Sequence, residues 1–470
     1  MSTTLDTSGR LRGRALGVLF VLCGAIFLEG IDISMMGVAL PAVRAELGLS
    51  TAELQWVVSA YVLGYGGFVL LGGRAADLLG RRRMFLLWLA VFIAFSGLGG
   101  LAGEGWILLL ARFTTGIAAG FMTPAGLSII TTSFAEGPAR NRALLVYAGT
   151  AAGGFTLGLV VGGLLTAIGW RWVFFAPVLL AAVILAVAVR LIPKEPRIER
   201  IRGGFDVPGA ATLTTAMLLL VAGIVRAPEV PAAVTAATLL GGIVLLGAFA
   251  VIERRSAAPL VRLGILRSGA LLRANTGAML LVGSFVGFQF VLVLYLQELR
   301  GWSAIETGLA ILLAGLDTIL APTITPWLVN RFGNRVVAFT GLLLAGVAYL
   351  LVWPLGAEWG YLAFLPTMLV LGTAFALGYG PLTIAATDGV DEREQGLASG
   401  LLTTSIQFGS ALGLAVVTAV VVAATGVDPT PEAQLAGYRA GLTVPLVAAV
   451  LGALVLGSGL GRRGWVPLAA

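Results

Sequence analysis

Apolar runs long enough to cross a bilayer recur along almost the whole chain, separated by short polar breaks. A helix needs about 20 residues to span the hydrocarbon. The stretches that qualify are 15–38, 54–73, 84–102, 105–128, 142–166, 171–192, 208–225, 232–252, 271–297, 304–328, 335–354, 360–380, 397–424 and 437–460. The pattern predicts an all-α membrane protein of about 14 transmembrane helices. An even count puts both termini on one side. Two polar breaks are longer than the rest, 193–207 and 253–273, and they bracket the spans at 208–225 and 232–252. These two helices read as an insert between two six-helix halves. The predicted organisation is an N-terminal bundle over 1–200, an insert with its linkers over 201–269, and a C-terminal bundle over 270–470.

An internal repeat supports the two halves. DLLGRRR at 77–83 answers NRFGNR at 330–335, and GFTLGLVV at 154–161 answers GSALGLAV at 409–416. The two matches come in the same order at nearly the same offset. Basic residues test the layout, because cytoplasmic loops collect Lys and Arg. Of the 30 Lys and Arg, 24 fall in segments of the side that carries the termini. The other side holds only Arg44, Arg171, Arg226, Arg300 and Arg439. This bias predicts cytoplasmic termini. The loop with Asp388, Asp391, Glu392 and Glu394 outweighs its Arg393, but acids do not count in the rule.

Composition narrows the class. The chain is 58% hydrophobic and 11% charged, too few charges to coat a water-facing globule of 470 residues. The 65 glycines suit helices packed backbone to backbone in lipid. The net charge of +7 sits at the ends of apolar runs, which points to topology and not to nucleic acid. Cys23 is the only cysteine and there is no histidine, so an intrachain disulfide and a Cys/His metal cluster are excluded. Neither a cofactor nor a metal is expected. Any internal proton carrier must be a carboxylate, a tyrosine or water. The first apolar run is too long for a secretory leader and reads as a retained helix.

At the level of motifs, the sequence resembles the major facilitator superfamily, and within it the fourteen-helix drug:proton antiporter branch of multidrug and antibiotic efflux. The resemblance covers essentially the whole chain. GGRAADLLGRRRM at 72–84 is similar to the family's loop between helices two and three, and implies gating roles for Gly73, Asp77, Gly80 and Arg81. GIDISMMGVALPAV at 30–43 resembles the branch's acid followed by an Ala-Leu-Pro exit. ARFTTGIAAGFMTPAG at 111–126 is similar to its arginine-bearing fourth helix. GGFTLGLVVGG in helix five is similar to its glycine pattern, with Gly158, Gly162 and Gly163 implied in gating. The family often has proline where this chain has Leu159.

Charges inside the spans are the sharpest signal, because each costs roughly 2.5–3.5 kcal/mol or more at a helix centre. Four stand out: Glu29, Asp32, Arg112 and Asp317. Glu29 and Asp32 are three apart and share a helix face. They lie about 20 and 25 Å from the inner end, and Arg112 lies at a matching depth in helix four. If helices one and four adjoin, as the resemblance implies, an Arg112–carboxylate contact follows. A carboxylate in a low-dielectric cavity holds its proton tightly, and a cation beside it loosens that hold. Glu29, Asp32 and Arg112 are therefore the candidate proton-coupling set, against the alternative of a static ion pair between helices. Asp317 and Glu29 are candidate substrate-cation sites. Asp317 has the alternative of a structural acid before the bend at Pro322. Gln289, Phe288, Tyr295 and Gln407, with Gln297 and Phe290, are weaker candidates for a pocket that takes a flat apolar cation. Pro124 and Pro381 read as bends for a rocking motion.

The leading expectation is a secondary transporter of the bacterial inner membrane. It would act as a monomer and export a small hydrophobic, cationic drug or natural product in exchange for protons. Symport of a nutrient would call for more basic groups at mid-membrane than Arg112. A membrane enzyme would need a nucleophile or metal spacing that the chain lacks, and a sensor would need a soluble output domain.

Overall fold

The computed structural model describes residues 14–134, 138–193, 206–256, 259–261, 263–387, 390, 395–426 and 430–459. Among them there is no strand. Fourteen helical spans are long and apolar enough to cross a membrane. The first half contains α1 (Arg14–Leu47), α2 (Thr51–Leu79), α3 (Arg81–Gly100), α4 (Gly105–Ser133), α5 (Pro138–Ile168) and α6 (Trp172–Leu191). The insert is α7 (Val207–Val225) and α8 (Ala232–Arg255). The second half contains α9 (Gly269–Leu294), α10 (Ala304–Leu312), α11 (Asp317–Thr323), α12 (Thr325–Phe332), α13 (Asn334–Val352), α14 (Tyr361–Thr387), α15 (Gln395–Thr425) and α16 (Pro431–Gly457). A 3-10 turn, Leu313–Leu316, joins α10 to α11 within one span. The short α12 is not a span.

The halves are built alike. In the first, α5 packs on α1, α4 on α3, and α6 on α1 and α3. In the second, α15 packs on α9, α14 on α13, and α16 on α9 and α13. Glycine sets the register of the α1–α5 contact. A Cβ built on Gly154, Gly158 or Gly162 would lie within 3.0 Å of the backbone of Phe27, Ile31 and Met35 respectively. Both triplets step by four residues, one helical face each. In the second half Gly409 and Gly413 meet the backbone of Met279 and Gly283 in the same way. The third step is reversed. Gly162 faces the larger Met35, whereas Gly287 is the small partner and meets the side chain of Val417.

Several predicted boundaries move. Helix α1 runs nine residues beyond 38 and carries Pro41 inside it. Its 34 residues make a rod of about 51 Å, longer than the ~30 Å hydrocarbon layer. The turns after Pro41 are held from outside. Arg44 pairs with Glu298, and Glu46 bonds Trp170 and Arg171. The span predicted at 304–328 is not one helix but the broken sequence α10, 3-10 turn, α11 and α12. Helix α9 ends in a π-helical turn, Tyr295–Leu299, and α16 starts at Pro431. Below, the face where α1 begins and α16 ends is called the terminal face, and the other the far face.

The insert does not hang free. Helix α7 packs on both α2 and α15, one from each half, and its Leu213, Met217 and Val221 share a buried cluster with Tyr61 and Phe408. Helix α8 packs on α7 and is otherwise largely uncovered, as suits a helix in lipid.

Candidate functional site

A cavity of about 420 Å³ lies between the halves. From the first half it takes Glu29, Ile33 and Gly37 of α1, Val58 and Val62 of α2, and Phe155 and Thr156 of α5. From the second it takes Phe285, Gln289 and Phe290 of α9, Asp317, Phe375 and Tyr379 of α11 and α14, and Gln407 and Ser410 of α15. Most of this surface is apolar. Phe285 is the centre of an aromatic shelf, with its ring centroid 4.7 Å from Phe375 and 6.2 Å from Phe155. Two carboxylates reach the cavity, one from each half: Glu29 and Asp317.

Their settings differ. Glu29 accepts a bond of 2.5 Å from Thr123 Oγ1 of α4, and the Tyr65 hydroxyl reaches the same carboxyl. Asp317 stands at the first residue of α11, where the 3-10 turn ends. Its carboxyl takes a long 3.5 Å bond from Thr318 Oγ1 and lies by the backbone N–H groups at the start of α11, and Thr318 is itself tied across the halves to Thr156 at 3.0 Å. Gln407 lines the cavity, and its Nε2 has no protein partner.

Asp32 is not in the cavity lining. One turn from Glu29 it meets Arg112, whose Nη1 donates to Asp32 Oδ2 at 2.6 Å, both side chains being almost fully enclosed. The guanidinium also donates through Nε to Val57 O at 3.1 Å and lies 4.5 Å over the ring of Tyr61. A buried pair with this much support is costly to break, because one lost partner strands a charge, at about 3–5 kcal/mol. Of the two acids on one face of α1, then, one is locked to the arginine and the other faces the cavity.

Two expected pocket residues fall elsewhere. Phe288 packs on Tyr349 inside the second half, with ring centroids 5.3 Å apart. Tyr295 lies near the far face, where its hydroxyl donates to Gly356 O at 2.7 Å. Neither lines the cavity. Helix α9 is buried on nearly every side in its second half, so its apolar pattern did not tell which face was wet. Gln297 also leaves the pocket, and its Nε2 donates to Val38 O at 2.9 Å.

The glycine positions separate into distinct roles. Gly72, not Gly73, makes the close contact with α4: a Cβ there would lie 2.2 Å from Gly120 O, whereas one on Gly73 would meet Pro124 at an ordinary 3.7 Å. Gly80, with φ +98°, closes α2 and opens α3 at Arg81. The side chain of Asp77 lies outside the described residues. Gly158 and Gly162 lie against α1, but Gly163 turns to the other half, where a Cβ would lie 2.7 Å from Ala304 O. Beside it, Gly308 of α10 approaches Leu159 O, a Cβ there lying 2.4 Å away. The acids at 388, 391, 392 and 394, and the basic residues of 194–202, lie outside the described residues.

Phe155, Phe285, Phe375, Tyr379 and Thr123 were not singled out from the sequence. A lone aromatic in an apolar helix gives no signal of facing a cavity. Thr123, eleven residues after Arg112 on α4, was open to inference as a partner of Glu29 from helix depth.

Comparison with known proteins agrees with this architecture. The family model described as Major Facilitator Superfamily matches residues 22–414. The chain is 36% identical over 454 residues to the cephamycin export protein CmcT of Amycolatopsis lactamdurans, covering 93% of this chain and 91% of that one. It is 34% identical to the lincomycin resistance protein of Streptomyces lincolnensis, over 96% of this chain and 93% of that one. It is also 34% identical to the puromycin resistance protein pur8 of Streptomyces alboniger, over 93% and 89%. Among solved structures, the POT family transporter PepTSo superposes with a TM-score of 0.68 at 16% identity, covering 96% of this chain and 99% of that one. With its duplicated halves and the match along most of its length, the chain belongs to the Major Facilitator Superfamily.

Proposed function

We propose that this protein exports hydrophobic, cationic drugs or natural products from the cell in exchange for protons, as a member of the fourteen-helix drug:proton antiporter branch. The observation that carries the reading is a cavity shared by both halves with one carboxylate from each. An aromatic shelf suits a flat apolar body, and a carboxylate beside it suits a positive charge. Relatives named for cephamycin export and for lincomycin and puromycin resistance support the substrate class.

Each acid has its own part. Asp317 meets the substrate's charge on the side of the aromatic shelf, with Gln289 and Gln407 offering amides. Glu29 takes the exchanged proton. Asp32 and Arg112 keep a compensated ion pair one turn away, which fixes α1 against α4 and sets the field at Glu29. A bound cation favours ionised Glu29, and a protonated Glu29 releases the cation. The moving bodies are residues 1–200 and 270–470, with 201–269 between them. The termini lie in the cytoplasm of a bacterial cell, in its inner membrane. At the far face the halves are joined by Arg44 with Glu298 and Gln297 with Val38. The protein works as a monomer and catalyses no covalent chemistry.

The test is purified protein in liposomes, with ethidium as the cation and an imposed pH gradient. Asp317→Asn is expected to weaken ethidium binding about tenfold to a hundredfold, the range of ~1.5–3 kcal/mol for a charge-assisted contact. Glu29→Gln is expected to bind ethidium yet lose proton release on binding. Ethidium transport that ignores the pH gradient in the wild type would sink the reading.

A further inference from the structure

Basic residues are scarce on the far face, and those present are matched unevenly. Arg44 pairs with Glu298 and Arg171 with Glu46. Among the described residues, Arg300 and Arg439 pair with no carboxylate. Both instead hold one loop, the link between α13 and α14. Arg439 Nε donates to Leu355 O at 2.6 Å, the Tyr295 hydroxyl to Gly356 O at 2.7 Å, and Arg300 Nη1 to Ala357 O at 3.2 Å. Three successive carbonyls thus gather two guanidiniums around one short loop. Glu358, exposed in the same loop, joins neither of them.

Against Arg439 lies an open crevice of about 470 Å³, lined by Trp353 and Pro354 at the end of α13 and by Ala440 and Thr443 of α16. Nε of Arg439 is taken by Leu355 O, which leaves the two terminal nitrogens of its fork for a ligand. Such a fork matches a pair of phosphate oxygens. An indole at the end of a spanning helix marks the headgroup level of a membrane. The crevice also continues downward. Leu350 and Leu343 lead down α13 from Trp353, and Val447, Val450 and Leu454 lead down α16 from Thr443, all exposed and at helical spacing. From Thr443 to Leu454 is about 16 Å, the depth of one leaflet of a ~30 Å hydrocarbon layer. A free phosphate ion has no use for this apolar stripe, whereas an acyl chain does.

We propose that this crevice binds an anionic phospholipid of the leaflet at the far face, with its phosphate on Arg439 and an acyl chain along the α13–α16 seam. Arg439 offers the phosphate its two terminal N–H groups, and Arg300 adds a second positive charge across the loop. Trp353 packs on the glycerol. The site lies on the outer side of the second half, away from the shared cavity, so it takes a resident lipid and not the exported substrate.

The experiment titrates delipidated protein in detergent with dioleoyl phosphatidylglycerol and counts bound lipid by native mass spectrometry. One tight lipid is expected on the wild type. Arg439→Gln removes the fork's charge and is expected to weaken that lipid at least about tenfold. Thr443→Trp fills the crevice, leaves the loop bonds alone, and is expected to weaken it as much. Arg300→Gln is expected to cost about fivefold, the share of a charge near the phosphate but not on it. Lipid binding unchanged in both Arg439→Gln and Thr443→Trp would overturn the site. Displacement by glycerol phosphate or inorganic phosphate at the lipid's own concentration would replace the lipid with a simple anion. Equal affinity for dioleoyl phosphatidylcholine would remove the preference for negative charge. A loss confined to Arg439→Gln, together with a lower unfolding temperature, would reduce the arginine to a loop clamp and sink its contact with lipid.

Discussion

Helix α2 and the stretch from Ala304 to Phe332 occupy the same place in the two halves, start alike and end alike. Each opens on a capping box, Ser50 with Glu53 and Ser303 with Glu306, 253 positions apart. Each closes on a glycine with positive φ, Gly80 at +98° and Gly333 at +82°. Between these ends they diverge. Helix α2 is continuous and locked to α4. A Cβ on Gly64 would lie 2.4 Å from Phe113 O, and one on Gly72 would lie 2.2 Å from Gly120 O. At the same offset from Gly64 stands Asp317, and from Gly72 stands Thr325, whose hydroxyl bonds Ala376 O of α14. The second stretch has a 3-10 turn, Pro322 and Pro326, each proline removing a backbone donor. One side is thus continuous and close-packed, beside a sealed ion pair. The other is broken, at a carboxylate open to the cavity.

Four tests can break or sharpen this contrast. The largest effect is expected from Arg112→Leu, which strands Asp32 in the rigid half. Thermal unfolding in detergent should register a loss of about 3–5 kcal/mol, with most of it recovered when Asp32→Asn is added. No recovery would mean that the pair is not what holds α1 to α4. Next, Gly64→Ala should cost ~1–3 kcal/mol by overpacking α2 on α4. Asp317→Ala, at the same place in the other half, should leave unfolding nearly unchanged and alter ethidium binding instead. Equal stability losses at the two sites would erase the distinction. Third, Pro322→Ala should restore a helical donor and stiffen the broken span, with slower hydrogen exchange over 317–332 and a stability gain of under ~1 kcal/mol. Unchanged exchange there would show that proline is not the source of the break. The smallest quantity is a difference between two matched substitutions, and it tests the similarity. Ser50→Ala and Ser303→Ala should each cost ~1 kcal/mol, and by nearly the same amount.

The sequence carried the span count well, because it rests on long apolar runs. Glu29, Asp317, Gln289 and Gln407 could be picked out as polar groups in apolar helices, and all four line the cavity. What was not legible was which way apolar residues face. A helix packed on all sides has no wet stripe, so Phe288 and Tyr295 could not be told from Phe285 and Phe290. The end of the apolar run at 38 did not mark the end of α1, which continues through Pro41. The turns beyond it are held by Arg44 and Glu46 through residues more than a hundred positions away. The break at Leu313 had no local mark either, since Leu-Ala-Gly-Leu fits an α-helix as well as a 3-10 turn.

The reversed third step of the glycine seam bears on whether the halves could exchange helices. In one half the bulky residue is Met35 of α1 and the notch is on α5; in the other the notch is on α9 and the bulk is Val417 of α15. A chimera that grafted α15 in place of α5 would press valine against methionine, and the reciprocal graft would leave glycine facing glycine across a gap. Each seam is therefore a matched couple, and the two segments, though alike in pattern, are not spare parts for each other.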